Sequence, residues 1–282
     1  MQSHRTLPQS WDAICSLKDG DIPLLRAALL IARDEYPDLD ILRYETEASD
    51  FERQLRRDVD EAAPSHYQLA EVNRFLFEEL GFSGNDDDYY DPRNSYLNEV
   101  FDRRLGIPIS LGLIQLDIGH RLGMPLEGVS FPGHFLIRMP MEDGILVLDP
   151  YSGGRSIDVD ELRQRVKPHI GGQDVDDADL LKLLAPASRR SILLRMLRNL
   201  KGLYNQREAW DKALRCSDRM LSLDPSVDEE LRDRGQLYLK VGHVDAARRD
   251  LAEYLERQAD ADDADEIRDA LIEASSGRVS IN

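Results

Sequence analysis

The chain has 282 residues, 41% hydrophobic and 32% charged, the balance of a globular protein with room for more than one domain. Its formal charge of -18 argues against nucleic acid or an anionic membrane as partner, because both are polyanions that a basic surface would have to neutralise. Cys15 and Cys216 are too few and too far apart for a disulfide framework or a zinc cluster. Residues 1–5 lack the apolar core of a secretion signal and no run reaches the ~18 apolar residues of a membrane span, so the expected location is cytoplasmic.

Asp21, Ile22 and Pro23 ahead of Leu24, Leu25, Ala28 and Ile31 predict a helix with proline in its first turn, stopped by Tyr36 and Pro37. The charged stretch from Asp40 onward, with Leu42, Phe51 and Leu55 interspersed, predicts a second and more exposed helix. Ser65 and Gln68 have capping-box spacing, and Leu69, Val72, Leu76 and Leu80 recur at helical intervals before Gly81, which predicts a third. The acidic run 85–92 lacks the glycine and distal glutamate of an EF-hand loop and is read as a solvated turn. Asn94 or Ser95 is the expected cap of a helix ending near Gly106.

The segment 106–150 carries the chemistry. Pro108 suits the position just before or at the start of a helix, so Ile109 or Ser110 should begin the next one, and Leu111, Ile114, Ile118 and Leu122 continue as an apolar stripe, which puts Ser110 at the N-terminus of a buried helix. Unpaired backbone N–H groups and the positive end of the macrodipole there would favour a nucleophile or an oxyanion. Gly123 and Pro125 end this helix, and strands are predicted over 126–131, 135–139 and 145–148. A hairpin turning at Glu142 and Asp143 would place His134, at the start of one strand, beside Asp149, at the end of the next. Ser110, His134 and Asp149 thus stand in the order nucleophile, base, orienting carboxylate. Each also has an ordinary reading: Ser110 as a helix cap, His134 as a turn residue, and Asp149 as the start of a turn before Pro150.

The stretches NSYLNEVFDRRLGIPISL, RLGMPLEGVSFPGHFL and LDPYSGG resemble the SirB-type bacterial branch of the transglutaminase-like superfamily. The resemblance implies a papain-like core in which a cysteine at a helix N-terminus, a histidine and an aspartate carry out acyl transfer or amide hydrolysis. It implies that Ser110 occupies the nucleophile position, His134 the base position and Asp149 the orienting position, with serine where the family has cysteine. A thiol ionises near pH 8.5 and lower at a helix N-terminus, whereas a serine hydroxyl must lose its proton to histidine during attack, so the exchange removes the easy route to a nucleophile.

Asp158 to Leu162 signals another capped helix, and the glycines and acidic residues after Pro168 read as a connecting subdomain. Farther on, Leu203, Tyr204, Ala213 and Leu221 recur 34 residues later as Leu237, Tyr238, Ala247 and Leu255, the period of tetratricopeptide repeats, with Pro225 closing the first unit. Lys201 and Glu208 stand where the second unit has Gly235 and Gly242. Asp260, Asp262, Asp263 and Asp265 precede a last helix carrying Ile267, Leu271 and Ile272.

The expected fold class is α+β: a helical N-terminal region over 1–93 packing on the core, a transglutaminase-like core with antiparallel strands over 94–186, and an all-α tetratricopeptide-like array over 187–282. Two functions follow. The preferred one is a non-catalytic or weakly catalytic adaptor that binds a protein or peptide, with no nucleic acid and no membrane as partner. The alternative is a serine-type hydrolase or acyltransferase that uses Ser110, His134 and Asp149 on an amide or ester. No phosphate-cradling glycine loop, dinucleotide fingerprint or metal-ligand spacing is present, so neither a cofactor nor a metal is expected. The sequence leaves enzymatic activity and oligomeric state open.

Overall fold

The sequence folds, in a computed structural model, into two units: one spans Leu17–Met196, and the other combines the chain through Ser16 with that from Leu197 onward. The structure describes residues 7–60 and 62–275.

In the first unit, helix α2 (Leu24–Ala32) is buried almost all round, as its run of apolar residues requires. Its one buried cation, Arg26, is held by the Glu45 carboxylate through Nε to Oε1 at 2.7 Å and Nη2 to Oε2 at 2.5 Å. Helix α3 (Ile41–Asp58) opens on Asp40, whose carboxylate accepts from the backbone N–H groups of Leu42 and Arg43. It buries one stripe, Ile41, Tyr44, Ala48, Phe51 and Leu55, while Leu42 faces out. Helix α4 (Ser65–Asn73) differs from its predicted start, because Ser65 is its first residue and makes no cap bond. Gln68 reaches back to the Ala63 carbonyl instead. A π-helical turn, Arg74–Glu79, continues it to Leu80. Phe51, Phe82 and Phe101 pack ring against ring beneath these helices.

Helix α5 (Leu97–Arg103) begins later than predicted: Tyr96 is its cap, and Asn94 closes a separate 3-10 turn, Pro92–Asn94, opened by Asp91. Helix α6 (Pro108–Arg121) starts on its proline, one or two residues ahead of the expected Ile109 or Ser110, and buries nearly every residue through Gly119. Two short strands, β1 (Ser83–Gly84) and β2 (Leu105–Gly106), pair in parallel just ahead of it.

The main sheet has four antiparallel strands in the order β3 (Glu127–Val129), β4 (Leu136–Met141), β5 (Gly144–Asp149) and β6 (Arg155–Ser156). The predicted hairpin forms, with Met141 opposite Gly144 and Ile137 opposite Leu148. Helices α7 (Val159–Val166) and α8 (Asp177–Leu183) bury Leu162, Val166 and Leu180 in one core with Val129, Phe131, Leu136 and Val147 of the sheet region. Helix α9 (Arg189–Gln206) runs from the first unit into the second.

The second unit contains α1 (Trp11–Cys15), α10 (Trp210–Leu223), α11 (Asp228–Lys240), α12 (Val244–Arg257) and α13 (Ala264–Ser275). Sequence periodicity becomes geometry here: Gln206, Trp210 and Leu223 end or begin helices, and 34 residues on Lys240, Val244 and Arg257 do the same. The turn between helices needs a left-handed residue, met by Gly242 at φ 79° and, one period earlier, by Glu208 at φ 55°. Leu221, Leu231, Leu251, Tyr254 and Ile267 form the core of this array. Lys201, at the position where the next repeat has Gly235, is buried and donates to both oxygens of buried Glu230, at 2.8 and 2.7 Å, and to Asp233 at 2.7 Å. Trp11 joins α1 to this unit by donating Nε1–H to the Arg219 carbonyl at 3.2 Å.

Candidate functional site

Ser110 is the third residue of α6 and has no exposed surface. Its Oγ accepts from the Ile107 backbone N–H at 3.0 Å and donates to the Asn94 carbonyl at 2.6 Å, with the Ile107 carbonyl a longer second acceptor at 3.1 Å. The first bond satisfies one of the orphan amides at a helix start, and the second ties that start to the turn before α5. One hydroxyl proton and one accepting position are therefore in use.

Asn94 anchors the same corner. Its Nδ2 donates to the carbonyls of Asp88 at 2.7 Å and Tyr89 at 3.3 Å, and its Oδ1 accepts from Asn85 at 3.0 Å. The acidic loop 85–92 is thus tied down from inside, and Asn85 and Asp91 are buried rather than solvated. Burial raises the Asp91 carboxyl, but the adjoining Arg93 and Arg103 outweigh that and hold it below the usual range.

His134 lies in the turn between β3 and β4, where its backbone N–H donates to the Phe131 carbonyl at 3.1 Å. Gly133, at φ 71°, makes the turn in a conformation that favours glycine, and the His169 ring packs over the place a Cβ would take. The His134 ring is half-buried and makes no hydrogen bond among the described residues. Burial lowers its pKa first, the charge of Arg165 adds to that, and Asp149 opposes it.

Asp149 ends β5, at the same end of the hairpin as His134. Its carboxylate is buried and engaged: Oδ1 accepts from the Tyr151 backbone N–H at 2.9 Å, and Oδ2 accepts from Ser152 Oγ at 2.9 Å and from Arg165 Nη1 at 2.8 Å. Arg165 also donates to Glu161, which Arg155 holds from its other side, and these contacts pull Glu161 down to about 2. The fold brings Asp149 and His134 to one end of the sheet. Among the described residues, no hydrogen bond or ion pair joins His134 to Asp149 or to Ser110.

Among the described residues, no group of three or more His, Cys, Asp and Glu side chains is placed to hold a metal ion. Neither of two cavities of about 280 Å³ beside α6 is lined by Ser110, His134 or Asp149. Both are lined by Leu24, Leu116, His120 and Arg189. Reading of the sequence missed Arg165, His169 and Arg195, which come to the His134 turn from α7, from the 3-10 turn Lys167–Ile170 and from α9. Nothing in their local sequence signals it.

Residues 43–198 match the Transglutaminase-like superfamily and residues 200–272 the Tetratricopeptide repeat. The chain therefore belongs to the transglutaminase-like superfamily, in the same family as the UPF0162 proteins. It is 52% identical over 269 residues to a UPF0162 protein of Xylella fastidiosa, covering 95% of this chain and 96% of that one. It is 33% identical over 235 residues to a UPF0162 protein of Vibrio cholerae, covering 82% and 81%. It is also 33% identical over 187 residues to the F-box only protein 21 of Homo sapiens, where the match covers 62% of this chain and 28% of that protein. No helix among the described residues is long and apolar enough to cross a membrane.

Proposed function

We propose that this protein is a binding adaptor of the SirB-type branch, acting in the cytoplasm, whose transglutaminase-like cleft and repeat array engage a protein or peptide without Ser110 serving as a nucleophile. The joining of a transglutaminase-like domain to tetratricopeptide repeats fits a protein-interaction role. The observation that carries the reading is the state of Ser110: its hydroxyl has no exposed surface and already donates to the Asn94 carbonyl. Attack on a carbonyl would require that proton to pass to a histidine in hydrogen-bond contact. His134 makes no such contact, and Arg165 holds the Asp149 carboxylate that would orient it. A serine-type hydrolase using Ser110, His134 and Asp149 would have to break these bonds and remake them around substrate. The net charge of -18 disfavours nucleic acid as the partner.

The test is affinity capture from native bacterial cytosol with the intact protein, followed by cross-link mapping. An intact partner cross-linked to the cleft turn or to the repeat helices is expected. A partner recovered only as a cleaved or acyl-transferred product would support the hydrolase instead.

A further inference from the structure

The turn 131–134 gathers basic side chains in a chain that is otherwise strongly acidic. Arg195 reaches it from α9 and donates Nη1–H to the Phe131 carbonyl at 2.9 Å. His169 packs against Gly133, and His134 is the last residue of the turn. Arg165 approaches from α7, already paired with Asp149 and Glu161. Among the described residues, no carboxylate forms an ion pair with Arg195, His134 or His169, and Arg195 makes no hydrogen bond through Nε or Nη2. This contrasts with Arg138, Arg155 and Arg165 of the same unit, each of which has a carboxylate within 2.8 Å. A half-buried guanidinium without a counter-ion carries an unmet desolvation cost, and burial lowers the Arg195 pKa accordingly. Asp149 is the carboxylate that raises the His134 pKa, and Arg165 pairs with it. Tyr89, 40% exposed and edge-on to Tyr90 and Tyr151, lies within electrostatic reach of Arg195.

We propose that Arg195, His134 and His169 form a site for one oxyanion, a carboxylate or a phosphate, carried by an acidic peptide whose neighbouring side chain packs on Tyr89. The guanidinium offers its two remaining edges to the oxyanion, and the imidazoles add N–H donors. This inference deepens the adaptor reading and rests on it. Its test does not involve Ser110 reactivity, so the two can fail separately.

The experiment is NMR titration of the His134 and His169 rings in the full chain with inorganic phosphate at constant ionic strength. A saturable response with a rise in the His134 pKa is expected; a response no different from that to chloride would overturn the site. Arg195→Gln is expected to weaken phosphate binding by about tenfold or more, the effect of losing a charge-assisted contact. Arg195→Lys should weaken it less. Because Arg195 also braces Phe131, His169→Gln provides a second variant, and unchanged affinity in both Arg195→Gln and His169→Gln would overturn the site. Blocked peptides carrying one glutamate, one phosphoserine or one glutamine then identify the source of the oxyanion. The tighter of the first two names it, and equal binding of the glutamine peptide would contradict the proposal.

Discussion

Ser110 Oγ donates a 2.6 Å hydrogen bond to the backbone carbonyl of Asn94, sixteen residues earlier, and both residues are fully buried. This bond makes the candidate nucleophile a structural tie between the start of α6 and the turn before α5. Ser110→Ala removes both hydroxyl bonds and leaves the Ile107 N–H and the Asn94 carbonyl only their mutual 3.3 Å contact, and should destabilise the fold by about 1 kcal/mol, read by urea unfolding. Ser110→Cys should fold with its thiol shielded. Iodoacetamide is expected to leave position 110 unmodified under native conditions and to modify it after unfolding, as mapped by peptide mass spectrometry.

Arg165 is the cation that Asp149 depends on, at 2.8 Å, with both side chains largely buried. Arg165→Met should destabilise by about 3–5 kcal/mol, because the Asp149 carboxylate would stay buried without a cation. Adding Asp149→Asn should restore part of the loss. The His134 pKa, read by NMR, should rise in Arg165→Met, since the charge of Arg165 is the largest lowering cause after burial.

The lowered pKa of His134 has a consequence for stability. The folded state releases this proton at lower pH than the unfolded chain, whose histidine titrates near 6.5, so the unfolded state binds more protons in the interval below about 6.5. Stability should therefore rise with pH through that interval and fall as pH drops toward the folded pKa. Unfolding midpoints from about pH 5 to 7.5 should show this slope in the natural protein and a smaller one in His134→Gln.

Glu208 adopts the left-handed conformation that Gly242 provides one repeat later. A side chain costs roughly 1 kcal/mol there, partly offset by the extra freedom glycine has when unfolded. Glu208→Gly is expected to raise the thermal midpoint slightly. The reverse change, Gly242→Ala, should lower it.

Features set by adjacent residues were legible in the sequence. Pro108 marks the start of α6, Glu142 and Asp143 mark the hairpin, and the spacing of Tyr204 and Tyr238 marks the repeat. These depend on backbone restraint or periodicity, which neighbouring residues determine. The cap at Ser65 was misread because Pro64 already sets the entry to α4 and Gln68 finds the Ala63 carbonyl. The charged loop 85–92 keeps Asp86, Asp87 and Asp88 exposed, as its composition implies, while Asn94 draws its backbone inward through carbonyls that composition cannot reveal. At the site, the ends of α6, β4 and β5 were foreseeable, but the partners of Ser110, His134 and Asp149 were not. Asn94, Arg165 and Arg195 reach the site through tertiary packing, and no local spacing encodes which carboxylate a guanidinium will choose.

The central claim is that Ser110 is a structural hydroxyl and not a nucleophile. Its most direct test is intact-mass analysis of the full chain after exposure to a fluorophosphonate, with Ser110→Ala alongside. The account predicts no adduct at Ser110 in the folded protein. Stoichiometric labelling that disappears in Ser110→Ala would contradict it and make the serine hydrolase the better reading.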